Sequence, residues 1–197
     1  MTRKQDKHEQ IVQAGLRVFA AKGFRKTSVE DIIREAKVAR ATFYHYFKSK
    51  KDIFLELTGM ILDNIYNIVE SDFQILPATE KETVERMEHS LRTAFEYFRD
   101  NQAFAAVYFS EAMGMNPELD SKVIEFQTRS SQLVARVVME GQAKGQFRNV
   151  DPYIVGTTLA FAPQHIAILW MLTGEKADVT QLVAALTDFL VYGLLKR

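Results

Sequence analysis

There is no cysteine among the 197 residues. Disulfide frameworks and thiolate metal sites are therefore excluded, and a reducing compartment suits the chain. The N-terminus, MTRKQDKHEQ, has no apolar core of the kind a signal peptide needs, which points to a cytoplasmic protein. No glycine-rich phosphate loop is present. The histidines His8, His45, His89 and His165 are scattered, with no metal-ligand pair at helical spacing. Glu82, Glu85 and Glu88 repeat every three residues, but on a charged helix they read as a solvated face. Neither catalysis nor a metal or cofactor is expected.

Strand-like alternation is also missing, and helical signals recur instead. From Pro152 to Gly174 no residue is formally charged, a length that could cross a bilayer. Yet the run contains Thr157, Thr158, Pro163, Gln164 and His165, and Asp151 and Glu175 flank it instead of lysine or arginine anchors. A buried helix is the better reading, with no membrane partner.

Net charge is absent overall but not locally. Residues 1–52 carry 13 Lys/Arg against 6 Asp/Glu, and residues 53–197 carry 12 against 19. A basic head on an acidic body suggests a head that meets an anionic partner.

The punctuation predicts about nine helices in an all-α protein. Ile11, Ala14, Val18 and Phe19 mark an amphipathic first helix that Gly23 ends as a left-handed cap. Thr27-Ser-Val-Glu30 has the form of a capping box for a short second helix. Ser49 to Asp52 starts a longer helix toward residue 70, and Thr79 to Glu82 starts one with Val84, Met87, Leu91, Phe95 and Phe98 along a face. A short apolar helix is expected over 102–113. Asn116-Pro117, Asp151-Pro152 and Asp178 to Gln181 open the last three. The division predicted is a small basic domain over 1–52 and a larger acidic domain over 53–197.

The stretch Lys37 to Lys51, KVARATFYHYFKSKK, sets four aromatics among five cations and contains no acid. It follows a second helix of about Val29–Glu35 after a three-residue turn, which is the helix-turn-helix arrangement, whose second helix enters a DNA major groove. At 100° per residue Phe43 and Phe47 share the side that anchors the helix. Ala41, Thr42 and His45 fall broadly opposite, and Arg40 and Tyr44 make an i,i+4 pair at the boundary.

Here the sequence resembles the TetR family of bacterial transcriptional regulators. The resemblance covers about residues 8–56, through "FAAKGFRKTSVEDI" and "AKVARATFYHYFKSKKDIF". It implies that Thr27 and Ser28 touch phosphate at the start of the second helix. Arg40, Ala41, Thr42 and Tyr44 would approach base edges or nearby backbone, and His45, Tyr46 and Lys50 would clamp phosphates. Helix N-termini favour anions, arginine pairs bidentately with guanine, and lysine adds nonspecific attraction. Arg40 is the candidate for sequence readout. The sequence departs from the family pattern at Lys37, Ala39 and Ala41, where Gly, Ser and Gly are common. A left-handed Lys37 would cost roughly 1 kcal/mol, and Ala39 has no side chain with which to cap.

The acidic remainder is long enough to dimerise and enclose a pocket. The last helix is apolar on more than one side, so both faces need covers; the resemblance implies a two-fold homodimer on palindromic double-stranded DNA. Phe104, Tyr108, Phe109, Met113, Phe126, Phe161 and Trp170 are candidate linings for a small lipophilic or aromatic effector. Gln164 and His165 add polar groups beside Pro163. The function implied is repression relieved by an effector. The rival is an effector-free architectural or cell-division DNA-binding protein on the same scaffold.

Overall fold

A computed structural model describes residues 3–101, 117–173 and 178–193. Among the described residues there are eight helices and no strand: α1 Arg3–Lys22, α2 Val29–Ala36, α3 Arg40–Tyr46, α4 Lys50–Phe73, α5 Glu80–Asp100, α6 Pro117–Ala143, α7 Pro152–Thr173 and α8 Val179–Tyr192. The helix expected over 102–113 lies outside the described residues. No helix among them is long and apolar enough to cross a membrane.

The chain divides into two compact units, residues 1–62 with 102–122 and residues 63–101 with 123–197. The first division falls inside α4, ten residues beyond the boundary drawn from the sequence. The reason is packing. Ile53, Phe54 and Leu57 are buried, and Phe54 meets Phe19 edge-on at 5.7 Å and Phe24 at 4.7 Å between ring centroids. The first turns of α4 thus complete the core of the head. Gly15 of α1 makes that approach possible, because a Cβ there would stand 2.6 Å from Ile53 Cγ2.

In the head, α1 packs on α2. Gly23 ends α1 in the left-handed region at φ 77°, donating to the Phe19 carbonyl at 2.8 Å. The capping box of α2 lies one residue later than the sequence suggested. Ser28 Oγ accepts the Asp31 N–H at 3.1 Å, and Asp31 Oδ2 accepts the Ser28 N–H at 3.0 Å. Thr27 is 3% exposed and its hydroxyl donates to the Gly23 carbonyl. With that hydroxyl turned into the loop, Ser28 takes the cap.

In the second unit, α5 packs on α8 and α7. Leu91, Phe95 and Phe98 of α5 are buried, as their helical spacing requires. Val138, Phe147 and Val191 form a cluster onto which Val84, Met87, Val155 and Leu159 pack. Gly156 lets α7 lie against the backbone of α6: a Cβ there would meet Ala135 N at 2.7 Å and the Ser131 carbonyl at 2.9 Å. Pro163 sits inside α7. Lacking an N–H, it cannot donate to the carbonyl of Leu159 one turn back.

Candidate DNA-reading face and apolar chamber

The turn between α2 and α3 is built by Lys37. It adopts φ 51°, ψ 43°, and its N–H donates to the Arg34 carbonyl while that of Val38 donates to Ile33. That pair of bonds closes a helix C-terminus as a Schellman motif, with a lysine where glycine is usual. Ala39 then starts α3 without a side-chain cap.

Packing fixes which face of α3 is outward. Phe43 is fully buried and Phe47 nearly so, and His8 of α1 stacks on Phe47 at 5.0 Å while reaching Glu56 at 3.2 Å. Arg40, Ala41, Tyr44 and His45 are left exposed, with Thr42 and Tyr46 half-buried. The Arg40–Tyr44 pair expected from the spacing is present, the guanidinium carbon lying 5.7 Å from the ring centroid. Ser28 is exposed, but its hydroxyl also donates to Asp31. Thr27 is withdrawn from the surface, so its hydroxyl is not presented to a phosphate.

Lys50 is turned toward the loop before α2. Its ammonium donates to the carbonyls of Phe24, Arg25 and Thr27 at 2.7, 3.2 and 2.6 Å, and lies 4.6 Å from the Phe24 ring centroid. An ammonium has three protons, so this one is fully engaged in holding the loop before α2. In this arrangement it braces the loop. Nearby, Lys22 sits 2.8 Å from Asp31. That contact, followed by the Ser28 backbone and hydroxyl, holds the Asp31 carboxyl far below the ordinary range.

The second unit encloses a cavity of about 110 Å³. Its wall is largely hydrocarbon and aromatic, including Phe73 from α4, Phe95 and Phe98 from α5, Phe126 and Leu133 from α6, and Pro163 from α7. The polar lining is mostly satisfied elsewhere. Thr83 donates to the Thr79 carbonyl, Ser90 to Asp72, and Tyr66 to Glu70. Burial, and then the Glu70 contact, push the Tyr66 phenol above its usual value. The guanidinium of Arg129 lies 4.1 Å from the Tyr66 ring centroid, with Asp63 3.4 Å from Arg129.

Of the expected lining residues, Phe126 is brought to the cavity. Phe161 is half-buried and outside the described lining, and His165 is exposed to solvent. Phe104, Tyr108, Phe109, Met113 and the side chains of Gln164 and Trp170 lie outside the described residues. Tyr66, Val69, Phe73, Phe95 and Phe98 line the cavity unforeseen. Their helical spacing signals burial, and nothing in it separates a cavity wall from a filled core.

A short exposed helix bearing Arg40, held by a tight turn against a basic head, defines a helix-turn-helix transcriptional regulator, and its second unit carries a hydrocarbon-lined chamber. The chain belongs to the TetR family. Residues 11–57 match "Bacterial regulatory proteins, tetR family", and residues 80–194 match "Tetracyclin repressor-like, C-terminal domain". It is a regulator and not an enzyme. A similar protein is the "Fatty acid metabolism regulator protein" of Bacillus subtilis (strain 168), 25% identical over 196 residues and 98% of both chains. The crystal structure of the transcriptional regulator FadR from Bacillus subtilis in complex with stearoyl-CoA superposes with a TM-score of 0.78 at 24% identity, over 94% of this chain and 98% of that one. A regulator from Saccharomonospora viridis in complex with choline superposes at 0.79 and 23% identity, over 98% of this chain and 100% of that one. One fold therefore hosts chemically different small molecules.

Proposed function

We propose that the chain is a cytoplasmic homodimeric repressor of palindromic duplex DNA, released when an amphiphile with a fatty acyl tail enters the chamber. The observation that carries this reading is the hydrocarbon character of the chamber, with Ile65, Tyr66, Val69 and Phe73 of α4 in its wall. The same helix supplies Ile53 and Phe54 to the core of the head.

Size supplies the mechanism. At about 110 Å³ the chamber is smaller than the roughly 150 Å³ cavity that accepts benzene. A long tail enters only by displacing the lining helices, α4 among them. Filling the chamber thus favours a different setting of α4, and DNA is released if that setting mismatches the operator spacing. An effector-free architectural role leaves such a chamber without a use.

A second copy of the chain is the proposed cover for the exposed apolar side of α7 and α8. Tyr153, Ile154 and Leu169 of α7 and Phe189 and Tyr192 of α8 are exposed, Phe189 by 73%. Two copies would present two recognition helices to the half-sites of a palindrome.

The test is anisotropy titration of a duplex selected from random DNA by the protein itself. Stearoyl-CoA should raise the apparent Kd, while coenzyme A alone should not. Unchanged affinity under saturating stearoyl-CoA would reject the acyl reading. Sedimentation should give a dimer for the parent and a monomer for Phe189→Glu, and a monomeric parent at micromolar concentration would reject the dimer.

A further inference from the structure

Arg40 is not alone on its surface. Its Nη1 lies 3.1 Å from Glu30 Oε1, an ion pair between the two helices of the helix-turn-helix. Glu30 stands in the first turn of α2, which the reciprocal Ser28–Asp31 bonds hold in place. On the other side, the Arg40 guanidinium faces Tyr44, and the Tyr44 ring abuts the fully buried Phe43 edge-on at 5.3 Å. One cation therefore has a carboxylate and an aromatic ring as partners, each fixed to a packed backbone. The Arg40 side chain nevertheless remains 68% exposed and Glu30 55%.

So exposed a pair contributes little to folding, and its consequences lie in binding. A lone surface arginine samples many rotamers and surrenders that freedom when it docks. Held by Glu30 and Tyr44, Arg40 surrenders less. The carboxylate also acts against the wrong target. Turning Arg40 to an arbitrary phosphate brings Glu30 toward a like charge, whereas reaching the O6/N7 edge of guanine in the groove meets neutral acceptors.

We propose that Glu30 is a specificity-determining residue, which positions Arg40 for base readout and penalises binding to unrelated duplex. The inference rests on α3 being the helix that reads DNA.

The test is a double-mutant cycle. The parent protein selects a preferred duplex from a random pool, and Kd is then measured on that duplex and on a scrambled one for the parent, Glu30→Gln, Arg40→Ala and the double variant. Glu30→Gln should bind scrambled duplex more tightly and lower the preferred-to-scrambled ratio about three- to fivefold, the range open to an exposed pair. In the Arg40→Ala background the same change should leave the ratio where Arg40→Ala put it. An unchanged ratio in Glu30→Gln, or an equal drop in both backgrounds, would overturn the proposal, since a merely structural role does not depend on Arg40. A parent that enriches no duplex at all would instead overturn the DNA-reading assignment of α3, and this proposal with it.

Discussion

Lys37→Gly should stabilise the head, and the size of the effect can be worked from the backbone. Lys37 adopts φ 51° in the turn of the helix-turn-helix, where an L-residue sets its Cβ too close to the following carbonyl, at a cost of roughly 1–2 kcal/mol. Glycine removes that crowding but brings a more flexible unfolded chain, which returns about 0.5–1 kcal/mol. The side chain of Lys37 is exposed, so little packing is lost. The net gain should be about 0.5–1 kcal/mol. Urea unfolding followed by far-UV circular dichroism is the assay. The sole tryptophan, Trp170, lies in the body's sequence and would follow the wrong transition. With m of about 1–3 kcal/mol/M, the head's midpoint should rise by roughly 0.2–1 M. Lys37→Ala is the control, because alanine keeps the Cβ and should gain nothing. If the glycine variant is no more stable than the parent, or alanine gains as much, the strain argument is wrong.

Three further expectations follow from other contacts. Gly156→Ala should destabilise the second unit by about 1–3 kcal/mol, since its Cβ would press on the α6 backbone; an unchanged thermal midpoint would mean that α6 and α7 part freely. Asp31→Asn should lower head stability at neutral pH and converge with the parent in acid. The folded carboxyl is held low by Lys22 and Ser28, so its contribution is complete above about pH 4 and fades as pH falls further through the folded pKa; denaturation midpoints that stay parallel down to pH 2 would contradict this. Lys50→Met should weaken DNA binding by loosening the loop before α2 while leaving the slope of log K against log salt unchanged, because the ammonium is spent on three carbonyls. A slope reduced by about one would return Lys50 to a phosphate.

Much of the head was legible because its signals are local. Gly23, the cap residues and the spacing of Phe43 and Phe47 act within a turn or two, and the chain adopts what they specify. The Arg40–Tyr44 pair follows from i,i+4 geometry alone. Where two residues competed for one local role, only the folded chain decided. Thr27 and Ser28 are both good caps, and the buried bond from Thr27 to Gly23 left the cap to Ser28.

What the sequence determined by itself is an all-helical chain with a basic helix-turn-helix at one end, because helix periodicity, capping and charge are properties of neighbours along the chain. The tertiary structure decided the rest. It carried α4 into the core of the head, set the Lys50 ammonium on the carbonyls of a distant loop, paired Glu30 with Arg40, and left a cavity among residues that read as ordinary core. Each of these depends on distances between residues far apart in sequence. Those distances are set by how closely helices approach, down to the single Cβ absent at Gly15 and Gly156.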